Sequence, residues 1–382
     1  MTEEQFNDTR PYYDSEVPAA IRRIAENIYF PEIAKSIFPE KDINSFAREF
    51  KQIKTVDEFQ SKIMYKAIGR IVETTVKELT YSGIENISNE HPAMQISNHR
   101  DIVLDSAILG LLIYRNKLNT SEITFGSNLM NPQIVVDIGK INKMFKIIRG
   151  GTAREIFLNS LTVSEYMRHT ITQKLQSTWI AQRNGRTKNG ADKTEVAVLK
   201  MFALSSKKPF SENLAELNIT PISVSYEYEP CDFLKTREAY ISSRQPYTKQ
   251  PGEDLLSIIH GIKQYKGNVH FTICKPVTIE ELQACEQLPR AQCFIKLAEI
   301  IDQRIFSGYK LWKTNFIAHD LLNNSDTFSS KYSALDKAEF ILYMEKGLDK
   351  IEGETNELRN IFLTLYTNPI NNSLFNNINL DN

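Results

Sequence analysis

Five short apolar runs, Ala93–Ser97, Ile123–Ser127, Ser177–Gln182, Ile219–Tyr228 and Val269–Cys274, alternate along the chain with stretches of helical texture. No other feature constrains the fold as much. Runs this short and this apolar suit strands buried in a sheet, and the stretches between them suit the helices that cover it. Those helices are predicted at Val103–Tyr114, Ala153–Thr170, Lys193–Leu204 and Glu253–Tyr265, with another over Ile279–Ile305 after the last strand. The alternation predicts an α/β core over residues 84–310.

Before that core, Ile21, Ile24 and Ile28 recur at helical spacing. Ile63, Ile68, Ile71, Val76 and Leu79 do so after a cap-like Thr55-Val56-Asp57-Glu58, so residues 1–83 read as a helical N-terminal region. Beyond the core, residues 311–366 read as a helical extension, and the asparagine-rich tail 367–382 need not fold alone. A chain of 382 residues with 41% hydrophobic residues can bury a sizeable core. Its 46 basic and 47 acidic residues give a net charge of −1, which excludes the global basic excess of a non-specific nucleic-acid binder. The four cysteines, Cys231, Cys274, Cys285 and Cys293, lack CxxC spacing and read as reduced thiols. The acidic, polar start from Met1 to Asp14 has no secretory pattern, so a cytoplasmic address is expected. The most apolar uncharged run, Ser106–Tyr114, is too short to span a bilayer, which leaves peripheral contact with the inner membrane face open.

Chemistry concentrates at Ile96-Ser97-Asn98-His99-Arg100-Asp101-Ile102-Val103-Leu104-Asp105-Ser106, where a predicted strand gives way to a predicted helix. In open α/β sheets ligands bind at such junctions. A histidine there can serve as general base, and a carboxylate within reach fixes its tautomer and stabilises the imidazolium. Aspartate at a helix start also serves as a plain cap, so the motif alone leaves both roles open. His99-Arg100-Asp101 also spells the start of a kinase catalytic loop, but Ser106 stands where the loop asparagine belongs and no glycine-rich loop precedes it.

Two basic segments follow, Phe145-Lys146-Ile147-Ile148-Arg149-Gly150-Gly151 and Trp179-Ile180-Ala181-Gln182-Arg183-Asn184-Gly185-Arg186-Thr187-Lys188-Asn189-Gly190. Arginine beside glycine suits phosphate, because the guanidinium makes paired charge-assisted bonds and glycine admits close backbone approach. A solvated basic loop is the plainer reading of the same residues.

In their order, these segments resemble the four blocks of the glycerolipid acyltransferase superfamily, the glycerol-3-phosphate and lysophosphatidate acyltransferases. Asn98, His99 and Asp105 match the first block, and Phe145 to Arg149 the second. Gln182 to Arg186 match the third loosely, and Ile219-Thr220-Pro221-Ile222-Ser223-Val224 the fourth, with Tyr309-Lys310-Leu311-Trp312 resembling larger members. Five residues separate His99 from Asp105 where the family usually has four, so Asp101 competes for the partner's role. The third block also lacks its glutamate, with Gln182 or Asn184 in the place.

The resemblance implies a mixed sheet flanked by helices, with His99 as base and Asp105 as its orienting carboxylate. It implies that Asn98, Arg149, Gln182, Arg183, Asn184, Gly185, Arg186 and Pro221 form the substrate site. The donor would be an acyl thioester, acyl-CoA or acyl carrier protein, and the acceptor glycerol phosphate or a lysolipid. No cofactor and no metal is implied, and His91, His169, His260, His270 and His319 show no ligand spacing. The missing glutamate favours a lyso-aminolipid acceptor, and the altered spacing motivates a non-catalytic lipid-binding relative. Ile102, Val103, Leu104, Ile108 and Leu109 are candidates for an acyl-channel wall or for core packing, and Ile28–Phe38 for membrane contact or packing onto the core.

Overall fold

The computed structural model describes residues 3–380 and the side chains of residues 4–373; Met1, Thr2, Asp381 and Asn382, which belong to the terminal segments read above, lie outside it. Seven strands make one sheet: β1 (Val76–Ser82), β2 (Met94–Ser97), β3 (Glu122–Gly126), β4 (Met144–Ile147), β5 (Thr178–Ala181), β6 (Thr220–Tyr226) and β7 (Gly267–Ile273). Their order is β1-β7-β6-β2-β5-β3-β4. Neighbours run parallel except β6 and β7, so the sheet is mixed and the fold is α/β.

Five of these strands are the apolar runs of the sequence. The other two are the edges, where one side of the strand lacks a neighbour and an apolar run is not required. β1 lies inside the stretch whose spacing predicts helix: the helix Tyr65–Thr75 stops at the β-branched Thr74-Thr75-Val76, and Val76 pairs with Gly267 of β7. The sheet therefore starts before residue 84. The long helix expected over Ile279–Ile305 is two, Ile279–Glu286 and Arg290–Ser307, because Pro289 lacks the N–H a continuous helix needs there.

One face of the sheet packs Ile96, Phe145 and Ile180 against Tyr166, Leu199, Leu297 and Ile301. The other packs Trp179, Ile222, Val224 and Phe271 against Tyr65, Ile68 and Val72 and against the helix Leu104–Arg115, which is buried on every side from Leu104 to Ile113. Such a helix has no solvent face to present, and its start must be placed by the residues just before it.

The N-terminal helices Val17–Ala25, Phe30–Ile37 and Ile43–Phe50 close around Phe30, Phe38, Phe46, Phe50 and Phe59, and this cluster reaches Ile134 and Ile141 of the helix Gln133–Ile141. Thr55 caps the next helix by accepting from the Glu58 N–H, as its sequence signature predicts. The helical spacing that includes Ile28 ends early, at Ala25, and Ile28 is 81% exposed. Within 28–38, Phe30 and Phe38 point inward, whereas the large apolar side chains Ile28, Tyr29 and Ile33 are exposed. That segment packs Phe30 and Phe38 into its own cluster and leaves Tyr29 at the surface.

At the other end, the helices Lys313–Asn323, Ala334–Leu348 and Thr355–Leu380 gather Phe340, Phe362, Leu363 and Tyr366 and seat them on Phe233 of the helix Asp232–Ser242. The asparagine-rich tail continues the last helix through Pro369 instead of leaving it. Phe362 stacks on Phe233 with ring centroids 5.2 Å apart and also meets Phe340, Tyr343 and Tyr366. Phe362→Ala should therefore lower unfolding stability by about 3–5 kcal/mol, measured as a shift in urea midpoint. A change below about 1 kcal/mol would mean that the extension contributes little to the fold.

Candidate active site

β2 ends at Ser97, whose carbonyl accepts from the Gln182 N–H at 2.8 Å, so the strand ends of β2 and β5 leave the sheet together. Asn98, next in line, is fully buried. Its side chain accepts from the Val224 N–H (2.8 Å) and donates to the Val224 carbonyl (3.0 Å) and to Asp192 (3.1 Å). The amide thus clips the end of β2 to β6 and has no group left for a substrate.

His99 follows, 8% exposed, its Nδ1–H donating to Asp105 Oδ2 at 3.0 Å and its ring in a T-shaped contact with Trp179, centroids 6.1 Å apart. The spacing question is settled by the turn between them. Asp101 Oδ1 accepts from the Val103 and Leu104 N–H groups (2.9 and 2.8 Å) and so starts the helix Leu104–Arg115. The extra residue lies in that turn, and Asp105, in the first helical turn, faces the imidazole. Asp105 Oδ2 also accepts from the Arg100 and Asp101 N–H groups (2.7 and 2.9 Å), and Oδ1 from the Tyr226 hydroxyl (2.9 Å). Four donors converge on this one buried carboxylate and make it a fixed acceptor for Nδ1–H. Nε2 is then the acceptor nitrogen, and no protein group among the described residues is bonded to it. Burial and the Asp105 charge hold the Tyr226 phenol well above its usual range, so it stays a donor.

The loop after β5 is drawn onto this dyad. The Thr187 N–H donates to the His99 carbonyl at 2.9 Å, which places Arg186 beside the histidine segment. Arg186 is 6% exposed, no carboxylate pairs with it among the described residues, and its Nη1 has no hydrogen-bond partner. A buried guanidinium in that state is prepared for an anion. Burial, reinforced by the Arg186 charge and opposed by Glu238, pulls Lys188 down to about 8. Arg149 is exposed and lies over Gly126 of β3: a Cβ there would stand 3.0 Å from its Nε. Asp254, held by Lys249 and Asn128, is within electrostatic reach of both Arg149 and Arg186.

Other residues expected in the site are engaged elsewhere. Gln182 is fully buried, donating to the Asp192 carbonyl (2.5 Å) and accepting from Thr194 (3.4 Å). Arg183 meets Glu195 loosely at 4.0 Å, and the Asn184 N–H donates to the same carboxylate at 3.1 Å. Gly185, at φ +78°, makes the turn that a side chain would strain. Pro221 lies inside β6 opposite Ile96, its carbonyl accepting from the Cys274 N–H at 2.9 Å.

Four contributors had no motif to reveal them. Tyr226 reads in sequence as one more strand residue, although its parity with Ile222 and Val224 puts it on the dyad's face of β6. Asp192 collects Asn98, Arg100 and the Tyr309 hydroxyl. Asn368 and Asn372 of the tail donate to the carbonyls of Asn189, Gly190 and Ala191, and so hold the arginine loop from behind.

Fold and site together define an α/β protein with a histidine–carboxylate dyad at a strand end and, next to it, a buried guanidinium that no carboxylate pairs with among the described residues. No known protein-family profile matches the chain, and no curated protein matches it by sequence. Among solved structures it is similar to the 1-acyl-sn-glycerophosphate (LPA) acyltransferase PlsC from Thermotoga maritima, at 14% identity over 75% of this chain and 91% of that one, with a TM-score of 0.34. Among the described residues, no group of three or more His, Cys, Asp or Glu side chains is placed to hold a metal ion, and no helix is long and apolar enough to cross a membrane.

The geometry assigns Asp105 as partner and Asp101 as cap, which separates two substitutions. If His99 is a catalytic base, Asp105→Asn should lower turnover about 10²-fold or more, because the amide no longer fixes the Nδ1–H tautomer or stabilises imidazolium. Asp101→Asn should run near the parent rate, since asparagine caps equally well. The reverse ranking in a steady-state assay would show that Asp101 is the partner.

Proposed function

We propose that this protein is an acyltransferase that moves a fatty acyl group from a thioester to a hydroxyl of an acceptor carrying an anionic headgroup. One observation carries this reading: a hydrogen-bonded His99–Asp105 dyad lies one backbone bond from the loop that presents the unpaired Arg186. The order of the sequence blocks, which resembles that of the glycerolipid acyltransferases, supports it.

In this reaction His99 Nε2 takes the proton of the acceptor hydroxyl as its oxygen bonds to the thioester carbonyl carbon. The C–S bond then breaks, and the departing sulfur takes the proton from the imidazolium. Asp105 keeps Nε2 as the basic nitrogen and stabilises the transient cation. Arg186 binds the headgroup, with Lys188 and Arg149 adding charge. The chemistry needs neither metal nor redox cofactor. The donor is acyl-CoA or acyl carrier protein, the acceptor glycerol-3-phosphate or lysophosphatidate, and the protein works at the cytoplasmic periphery of a membrane. Asn98, Gln182 and Pro221 support the site's framework in this scheme and do not touch the substrate.

His99→Ala should lower acyl transfer about 10²–10⁴-fold, with thermal stability unchanged, in an assay of thiol release with lysophosphatidate. Wild-type turnover in that variant would overturn the reading. Arg186→Ala should raise the acceptor KM about tenfold to a hundredfold while the donor KM stays put; a donor-only defect would remove Arg186 from the acceptor site. Lys188 is charged below about pH 8 and neutral above it. The kcat/KM for a phosphorylated acceptor should therefore decline as pH rises through 8, and Lys188→Arg should flatten that limb of the pH profile. A profile that keeps its break in the arginine variant would assign it to another group.

A further inference from the structure

Every residue from Ile148 to Leu158 is exposed, and this span includes the start of the helix Ala153–Thr172. Burial in that helix begins only further on, at Val163, Ser164, Tyr166 and Met167. The free end carries Ile156, Phe157 and Leu158 in succession, Phe157 being 54% exposed, and Ile148 precedes it. Large apolar side chains scattered singly on a surface need no explanation, but consecutive ones on a helix end with no protein around it do. A second such stretch is tied to the first. Asp254, in the first turn of the helix Glu253–Lys263, accepts from the Asn128 side-chain amide at 3.0 Å, and the adjacent Ser127 hydroxyl accepts from the Arg149 N–H at 3.1 Å. The loop after β3 thus joins Ile148-Arg149 to Asp254, whose next residues, Leu255 and Leu256, are also exposed, Leu256 at 66%. Since β2, β3, β4 and β5 run parallel, these loops lie at the same end of the sheet as His99.

The charges beside these side chains say what covers them. Glu155 is engaged in capping at Thr152, Glu253 with the Tyr247 hydroxyl and Asp254 with Lys249, and no carboxylate pairs with Arg149 or Arg154 among the described residues. The free charge is positive. A protein partner covers one face of an element and needs a groove or a flat complement, which a helix end exposed on all sides does not offer; a bilayer interface surrounds whatever enters it. Apolar side chains beside unpaired arginines match acyl chains lying under anionic headgroups. We infer that the free end Ile148–Leu158 and the start of the helix Glu253–Lys263 dock into the headgroup layer of an anionic phospholipid bilayer, with Phe157 and Leu256 as apolar anchors and Arg154 on the lipid phosphates. Docking there turns the His99 end of the sheet toward the lipid. That consequence rests on the acyltransferase reading, whereas vesicle binding is measured without turnover.

Co-sedimentation of the full-length protein with vesicles tests it, using phosphatidylcholine mixed with phosphatidylglycerol and phosphatidylcholine alone. At low salt the mixed vesicles should bind about tenfold more strongly than the neutral ones. Phe157→Asp and Leu256→Asp, both at exposed positions, should each weaken that binding about tenfold or more with an unchanged melting transition. Leu175→Asp is the control: Leu175 is 63% exposed but precedes β5, at the opposite end of the strands, and its positive φ suits aspartate, so binding should stay at the parent level. No binding to the mixed vesicles, equal binding to the neutral ones, parent-level binding in either anchor variant, or an equal loss in Leu175→Asp would overturn the inference. So would a parent protein that is a dimer in solution and becomes monomeric in Phe157→Asp, because a second copy then covers the face. In the transfer arm, Phe157→Asp should slow acylation of lysophosphatidate embedded in mixed vesicles and leave that of dissolved glycerol-3-phosphate at the parent rate. Vesicle binding with transfer to neither acceptor would instead overturn the acyltransferase reading while the docking surface stands.

Discussion

The Arg100 guanidinium is the contact on which the site depends. It is enclosed between Asp192 (2.5 Å) and Glu229 (2.9 Å), and Lys235 joins Glu229 (2.5 Å) and the Arg100 carbonyl (2.6 Å). All four side chains are buried, two positive and two negative. A charge in such a place is tolerable only when paired, and removing one member would strand the others. The four come from three pieces of chain: Arg100 from the dyad segment, Asp192 from the arginine loop, and Glu229 and Lys235 from the region after β6. Pairing their charges therefore fixes three loops relative to one another at the ends of the central strands.

That fixed frame explains how a histidine and an arginine far apart in sequence come to share one site. His99 precedes Arg100 and is oriented by Asp105, whose carboxylate in turn accepts the Arg100 N–H. The arginine loop is held from one side by the His99 carbonyl and from the other by Asn368 and Asn372. Gly190 must be glycine in that arrangement, since a Cβ would approach the Leu365 carbonyl oxygen to 2.4 Å at a φ of +75°. The C-terminal helices thus belong to the site's support. Tyr343 and Tyr366 donate to the buried Asp232 at 2.8 and 2.7 Å, and burial pushes that carboxyl up to about 6 despite them.

Sequence reading succeeded where a local rule governs the outcome. Buried strands are short apolar runs because both faces are covered, so β2, β3, β5, β6 and β7 could be seen in advance. The strand-to-helix junction at His99 could be seen for the same reason. It failed at β1 and β4, whose pairing comes from a neighbour and not from their own composition. It also failed in the tail, where low complexity hid two asparagines whose amides each find a particular carbonyl. Among site residues, His99, Asp105 and Arg186 converge, whereas the side chains of Asn98 and Gln182 and the carbonyl of Pro221 are engaged within the framework. Their hydrogen bonds are to other strands and loops, which no spacing encodes.

The sequence by itself determined the α/β class, the position of the base at a strand end and the presence of basic, glycine-flanked loops, because periodicity and residue chemistry act over a few neighbouring residues. Only the tertiary structure decided between Asp101 and Asp105. Two hydrogen bonds from the Val103 and Leu104 N–H groups claim Asp101 as a cap, and the resulting turn delivers Asp105 to the imidazole. Tertiary structure likewise left the buried Arg186 Nη1, Gln95 Nε2 and Trp179 Nε1 without acceptors. Whether a polar group is satisfied depends on every element packed around it, and that is settled only when the chain has closed on itself.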